Sequence, residues 1–223
     1  MKVKLKKREG IAKDFTLFEF DTQGQNLSFI PGQFFSLTLV NPPFTDERGN
    51  SRFLGFTNLP NQGFLQIIIK NGVSAFKKSL MQAELGTEME IDKINGRIDL
   101  PENPATPIVL IAMGIGIAPI ISIIRFVKQK ALAHKITLIY INQTESEAPF
   151  YEELENYSKE NPNFIFMPLQ NITKELVKSN IQNLNQSLFF IKGEQMFVIP
   201  TMQLIQNLGV EAKKISTEIF TGY

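Results

Sequence analysis

The chain has 223 residues, 43% of them hydrophobic and 20% charged, with a formal net charge of +1. It is long enough for one large domain or two small ones. It contains no cysteine and one histidine, His134, which excludes disulfides, iron–sulfur clusters on this chain, thiolate zinc sites and cysteine nucleophiles, and leaves no material for multi-histidine metal sites or Ser-His-Asp hydrolysis.

Acidic and basic residues are interspersed, and the Lys-rich start (Lys2, Lys4, Lys6, Lys7, Arg8) reads as one charged strand end rather than a nucleic-acid arm. That charged start, with no apolar run behind it, predicts no secretory leader. A cysteine-free chain fits a reducing cytoplasm.

From Phe15 the grammar is that of short strands split by turn residues. FTLFEFDT alternates apolar and polar, QFFSLTLV follows the turn PGQ, and FLQIIIK, TEMEIDK and GRIDLP come after, with Asn, Gly and Pro between them. SAFKKSLMQA predicts one helix over residues 74–83, with Ser74 as its N-cap. Many short, closely spaced strands predict an antiparallel barrel or sandwich.

The Pro/Asn-rich PENPATP marks a boundary, giving expected domains over residues 1–101 and 105–223. Beyond it strands and helices alternate. IVLIAM, KITLIYIN, NFIFMPL, SLFFIKG and AKKISTEIF read as strands; APIISIIRFVKQKAL, PFYEELENYSKE, TKELVKSN and EQMFVIPTMQLIQNLG read as helices. That alternation means βαβ units on a parallel sheet, a doubly wound α/β domain. The apolar run from Ile108 to Ile124 approaches the length of a membrane span, but two glycines and Pro119 interrupt it. It reads as a buried strand, a glycine turn and a buried helix.

Gly114 and Gly116 fall in that turn, MGIGIAP. Glycines there let backbone N–H groups approach an anion at a helix N-terminus. The spacing is G-x-G-x-x-P, and tight packing alone would also produce it. His134 reads as a solvated turn residue, Glu152–Glu155 as a charged helix face, and FFIKGEQMF as a buried strand. No metal site is expected.

A β-domain followed by a doubly wound domain with this turn resembles the ferredoxin–NADP reductase family. Six stretches carry the resemblance in order: PGQFFSL, RFLG in the place of R-x-[YF]-[ST], NGVS as the G-x-x-S turn, GIGIAP, KGEQM in the place of C-G-P, and TEIFTGY as the E-x-[FY] ending. The resemblance implies FAD on an N-terminal barrel and a nicotinamide on the second domain. Carried over, it implies that Arg52, Gly72, Val73 and Ser74 hold the FAD pyrophosphate and that Phe53, Leu54 and Gly55 flank the ring. Gly114, Gly116, Ile117 and Pro119 would form the nucleotide floor, with Gly193 lining the nicotinamide pocket. Glu218 and Phe220 would close over the flavin. Gly55, Lys192, Glu218 and Phe220 are the candidates nearest the chemistry.

Three positions depart from the family. Leu54 stands where an aromatic stacks on the flavin, Gly55 where a hydroxyl reaches N5, and Lys192 where the family has cysteine. Phe53 or Phe56 could meet the ring instead, and Lys192 is either a charge beside the reactive end or a snorkelling surface lysine. The resemblance implies a flavin-dependent NAD(P)H oxidoreductase that binds FAD rather than FMN. Its electrons would go to a ferredoxin-like protein, free flavin or quinone. The relaxed ring contacts also fit a weakly catalytic regulatory or electron-transfer subunit. No arginine follows the second parallel strand, where Asn142, Gln143 and Thr144 stand, which leans toward NADH over NADPH.

Overall fold

The computed structural model describes residues 1–96, 98 and 100–220. It opens with β1 (Lys2–Ala12), β2 (Phe15–Asp21), β3 (Phe34–Leu39), β4 (Ser51–Gly55), β5 (Phe64–Lys70), α1 (Ala75–Gln82) and β6 (Glu88–Asn95). The six strands form one antiparallel sheet in the order β4-β3-β6-β1-β2-β5. Past β4, the Thr57 N–H donates to the Gln66 carbonyl on β5 at 3.0 Å, tying the two edges into a barrel-like wrap. Alternation explains the interior: Val3, Leu5, Phe18, Phe20, Phe35, Leu37, Leu65 and Ile67 turn inward and meet Phe76 and Leu80 of α1. Ser74 caps α1, its Oγ accepting the Lys77 N–H at 3.4 Å.

The expected strand GRIDLP is not present among its described residues, Gly96, Ile98, Leu100 and Pro101. Arg97 and Asp99 lie outside the described residues. Gly96, at φ 79°, turns the chain out of β6.

The second half runs β7 (Ile108–Met113), α2 (Ile117–Gln129), β8 (Ile136–Ile141), α3 (Tyr151–Glu160), β9 (Phe164–Leu169), α4 (Lys174–Asn180), β10 (Leu188–Gly193), α5 (Gln195–Asn207) and β11 (Ile215–Ile219). All pairings are parallel, in the order β11-β10-β7-β8-β9. The chain moves outward from β7 through β8 and β9, then returns to the other side for β10 and β11. The switch point therefore falls between β7 and β10, where sheets of this kind bind ligands. β7 has a strand on either side and is apolar throughout. That accounts for the membrane-length run, and no helix among the described residues is long and apolar enough to cross a membrane.

The chain groups into two compact units, one of Met1–Ile98 with Ala118–Phe126 and one of Asp99–Ile117 with Val127–Gly222. The first unit thus takes in most of α2. His134 is buried rather than solvated: its Nε2 lies 2.9 Å from the Pro101 carbonyl oxygen, and Nδ1 is buried without a partner. The turn before β8 thus meets the boundary segment at Pro101.

Candidate functional site

In the second unit the turn after β7 is a single helical twist, Gly114–Gly116, leading into α2. Gly114 has φ 51°, a conformation side chains disfavour. Gly116 has another reason to be glycine. A Cβ there would overlap the carbonyl oxygen of Lys192 and lie 2.9 Å from the nitrogen of Gly193. The turn therefore rests on the end of β10, across the switch point. A Cβ at Gly193 would in turn lie 3.1 Å from Phe197 Cδ1 and 3.4 Å from Met113 Cβ. Ile117 is fully buried. Tyr140, fully buried on β8, donates its hydroxyl to the Gly114 carbonyl at 3.5 Å, and burial raises its pKa well above the phenol range. The sequence gives little sign of that tether, since Tyr140 sits in an apolar strand like any core aromatic.

Lys192, next to last in β10, stands beside Glu218 of β11, its register partner. The ammonium pairs with Glu218 Oε2, and the lysine side chain is 5% exposed. It is no snorkelling surface residue. Burial pushes its pKa down to about 7; the carboxylate acts in the opposite sense. The other oxygen, Glu218 Oε1, is buried with no partner. The Phe220 N–H donates to the Gly193 carbonyl at 2.8 Å, so Lys192, Gly193, Glu218 and Phe220 converge at the carboxyl ends of β10 and β11. Of the terminal stretch TEIFTGY, Thr221, Gly222 and Tyr223 lie outside the described residues.

In the first unit β4 carries RFLG at the edge of the sheet. Arg52 Nη1 donates to the carbonyls of Arg48, Gly49 and Ser51 at 3.1, 3.0 and 2.7 Å, and the guanidinium carbon lies 5.2 Å from the centre of the Phe76 ring. Nε and Nη2 are buried and make no hydrogen bond. Two buried donors awaiting an acceptor suit a pyrophosphate, whose oxygens can take both. Phe76 belongs to α1, so this guanidinium lies by the helix that Gly72, Val73 and Ser74 lead into. Lys77 folds back over Gly72, its Cδ 3.1 Å and its Nζ 3.2 Å from where a Cβ would stand. Val73 is 85% exposed.

The residues expected to flank the ring separate by face. Arg52 and Leu54 point toward the barrel core, where Leu54 packs. Phe53 points outward, and Gly55 is buried. Phe53 is 54% exposed and meets Phe34 edge-on at 5.5 Å. Phe56 is fully buried, stacked on Phe29 at 3.8 Å, and has no free face. A Cβ at Gly55 would lie 2.8 Å from Pro119 Cδ and 3.3 Å from Ala118 Cβ, so a hydroxylated side chain has no room there. Ser122, fully buried in the same stretch of α2, accepts the Gly32 N–H at 2.8 Å and donates to the Pro119 carbonyl at 2.9 Å. Nothing in the sequence distinguishes it from the other small residues of a buried helix. Among the described residues no group of His, Asp or Glu side chains is placed to hold a metal ion.

Residues 110–196 match the model of the oxidoreductase NAD-binding domain. The chain is 22% identical over 213 residues to flavohemoprotein A of Dictyostelium discoideum, covering 86% of this chain and 53% of that protein. It thus spans about half the length of the curated relatives it matches first. In fold it is similar to the FAD/NAD-binding domain of nitric oxide dioxygenase from Vibrio cholerae (TM-score 0.83, 16% identity, 98% of each chain). It is also similar to a ferredoxin–NADP reductase from Neisseria gonorrhoeae with bound FAD and NADP (TM-score 0.81, 19% identity, 100% of this chain and 98% of that one).

Proposed function

Starting from a chain that carries the ferredoxin–NADP reductase-like fold and an oxidoreductase NAD-binding segment over residues 110–196, we propose that it is an NAD(P)H-dependent flavoprotein reductase. The observation that carries the reading is the glycine turn Gly114–Gly116 at the switch point between β7 and β10, the place where this sheet topology receives a dinucleotide.

When bound, FAD would supply the redox chemistry, taking one hydride (two electrons) from the nicotinamide and handing electrons onward. The residues around it bind and orient. Arg52, through its two unpartnered donors, and the turn Gly72–Val73–Ser74 at the start of α1 hold the pyrophosphate. Phe53, the aromatic of this stretch with an open face, takes the stacking role that Leu54 cannot fill. On the second unit Gly114, Gly116 and Ile117 shape the nucleotide floor, and Gly193 leaves space beside it; Pro119, the next floor residue in the chain, groups with the first unit. Lys192 fixes Glu218 in one orientation, and Phe220 shields the approach from water. The uncharged Asn142–Thr144 loop favours NADH, having no arginine for a 2′-phosphate. Lacking cysteine, the chain passes electrons to an acceptor elsewhere: a ferredoxin-like protein, free flavin or quinone. The same composition favours the cytoplasm.

A second reading, a flavin- or nucleotide-holding subunit of slow turnover, is favoured by Gly55, where Pro119 leaves no space for a hydroxyl near the flavin. One experiment separates the two. The purified protein is loaded with FAD and mixed anaerobically with NADH in a stopped-flow instrument. Rapid loss of the flavin band, with Phe53→Ala weakening FAD retention by a few fold, supports the reductase. A stable, unreduced complex supports the subunit. No association of FAD at micromolar concentration overturns both.

A further inference from the structure

The loop before β4 carries a carboxylate into the phosphate-binding end of the first unit. Asp46 Oδ2 accepts the N–H of Ala75, the first residue of α1, at 3.3 Å. Asp46 Oδ1 lies 3.7 Å from Arg52 Nη2. The acid is itself fixed: its Oδ1 accepts the Arg48 N–H at 3.0 Å, and its carbonyl accepts the Gly49 N–H at 3.0 Å. Arg52 Nη1 clasps the same loop through the carbonyls of Arg48, Gly49 and Ser51. A negative group is therefore seated on both positive features, the helix N-terminus and the guanidinium, where the proposed function puts the flavin pyrophosphate.

The seat fits the carboxylate poorly. At 3.7 Å the Asp46–Arg52 approach is an ion pair without a hydrogen bond, and Arg52 Nε and Nη2 remain buried without an acceptor. The Asp46 side chain is 30% exposed, so it has a path to water. A pyrophosphate has more acceptor oxygens and more charge, and would satisfy the donors that Asp46 leaves open. The two anions cannot share Arg52 without repulsion.

We infer that Asp46 is a resident counter-ion that the flavin pyrophosphate must displace, making the loop from Asp46 to Ser51 a latch that sets flavin affinity. The inference rests on the proposed flavin site. Asp46 thereby acts as an affinity-determining residue, and it lies outside all six stretches that carry the family resemblance.

The test is FAD titration of the flavin-free full-length protein, read by quenching of flavin fluorescence, for wild type, Asp46→Asn, Asp46→Ser and Asp46→Glu. Asn and Ser keep an acceptor for the Ala75 N–H and remove the charge; each is expected to tighten FAD binding about two- to fivefold, the scale of a partly exposed charge pair. Glu keeps the charge and is expected to stay near wild type. The difference between Asn and wild type is expected to shrink as NaCl is raised. Thermal unfolding followed by circular dichroism shows which variants fold. Folded Asn and Ser variants that bind no tighter, or more weakly, overturn the latch and make Asp46 a plain helix cap, while FAD binding by wild type still leaves the reductase reading standing. Failure of every folded variant and of wild type to bind FAD removes both.

Discussion

Lys192 shows how much one buried side chain can change a site. In water its ammonium would titrate near the ordinary lysine value of 10.5; burial brings it down to about 7. The folded state therefore binds its proton less tightly than the unfolded chain does. Between about pH 7 and the unfolded value the unfolded chain holds more protons, so stability rises with pH across that window and levels off below it. Urea unfolding at pH 7 and pH 9 is expected to show a gain for wild type that Lys192→Met lacks. Equal pH dependence in the two proteins would mean that Glu218 holds the ammonium charged throughout.

Residue identity was readable from the sequence at Lys192, but its burial was not. The stretch KGEQM shows a lysine in the place of a cysteine. Only the parallel pairing of β10 with β11 shows that Glu218 stands opposite. Asp46 was invisible for a similar reason: its partners, Arg52 and Ala75, are brought to it by the loop and by α1, and no spacing in the sequence encodes that.

At the scale of elements, the legibility was uneven in an instructive way. The helix and strand pattern beyond PENPATP could be read closely, because buried parallel strands are continuous apolar runs and the helices between them are amphipathic. GRIDLP could not, because its alternation resembles a strand while Gly96 diverts the backbone. The glycine turn after β7 was legible as a turn, but its two glycines serve different ends. Gly114 supplies a positive φ, whereas Gly116 lets the chain touch the backbone of Lys192. Gly116→Ala is accordingly expected to cost about 1–3 kcal/mol or more, since the obstacle is backbone and cannot rotate away. The check is a chemical denaturation curve, and an unchanged midpoint would refute the packing argument.

For the whole molecule, composition and punctuation pointed to two parts with a boundary at PENPATP. Contacts group the chain into two compact units, and Ala118–Phe126 of α2 falls in the unit that holds the barrel strands. Ser122 satisfies the buried N–H of Gly32, and Ile123 fills the space above it. Sequence punctuation marks where the chain is exposed, not which contacts it later makes. A fragment of residues 1–101 is therefore expected to lack a cooperative thermal transition, having lost those partners. A sharp melt comparable to that of the intact chain would show that the barrel stands without α2.

The lysine next to the end of β10 has one more consequence. A reductase that meets oxygen makes peroxide, and a thiol at such a place climbs toward sulfinic and sulfonic acids that are not readily reversed. With Lys192 there, no sulfur at that strand end can follow that route. Met113, a thioether at the end of β7, lies against Gly193, and Met196, four residues after Lys192 in the chain, is 90% exposed. Their first oxidation product is the sulfoxide, which cells repair.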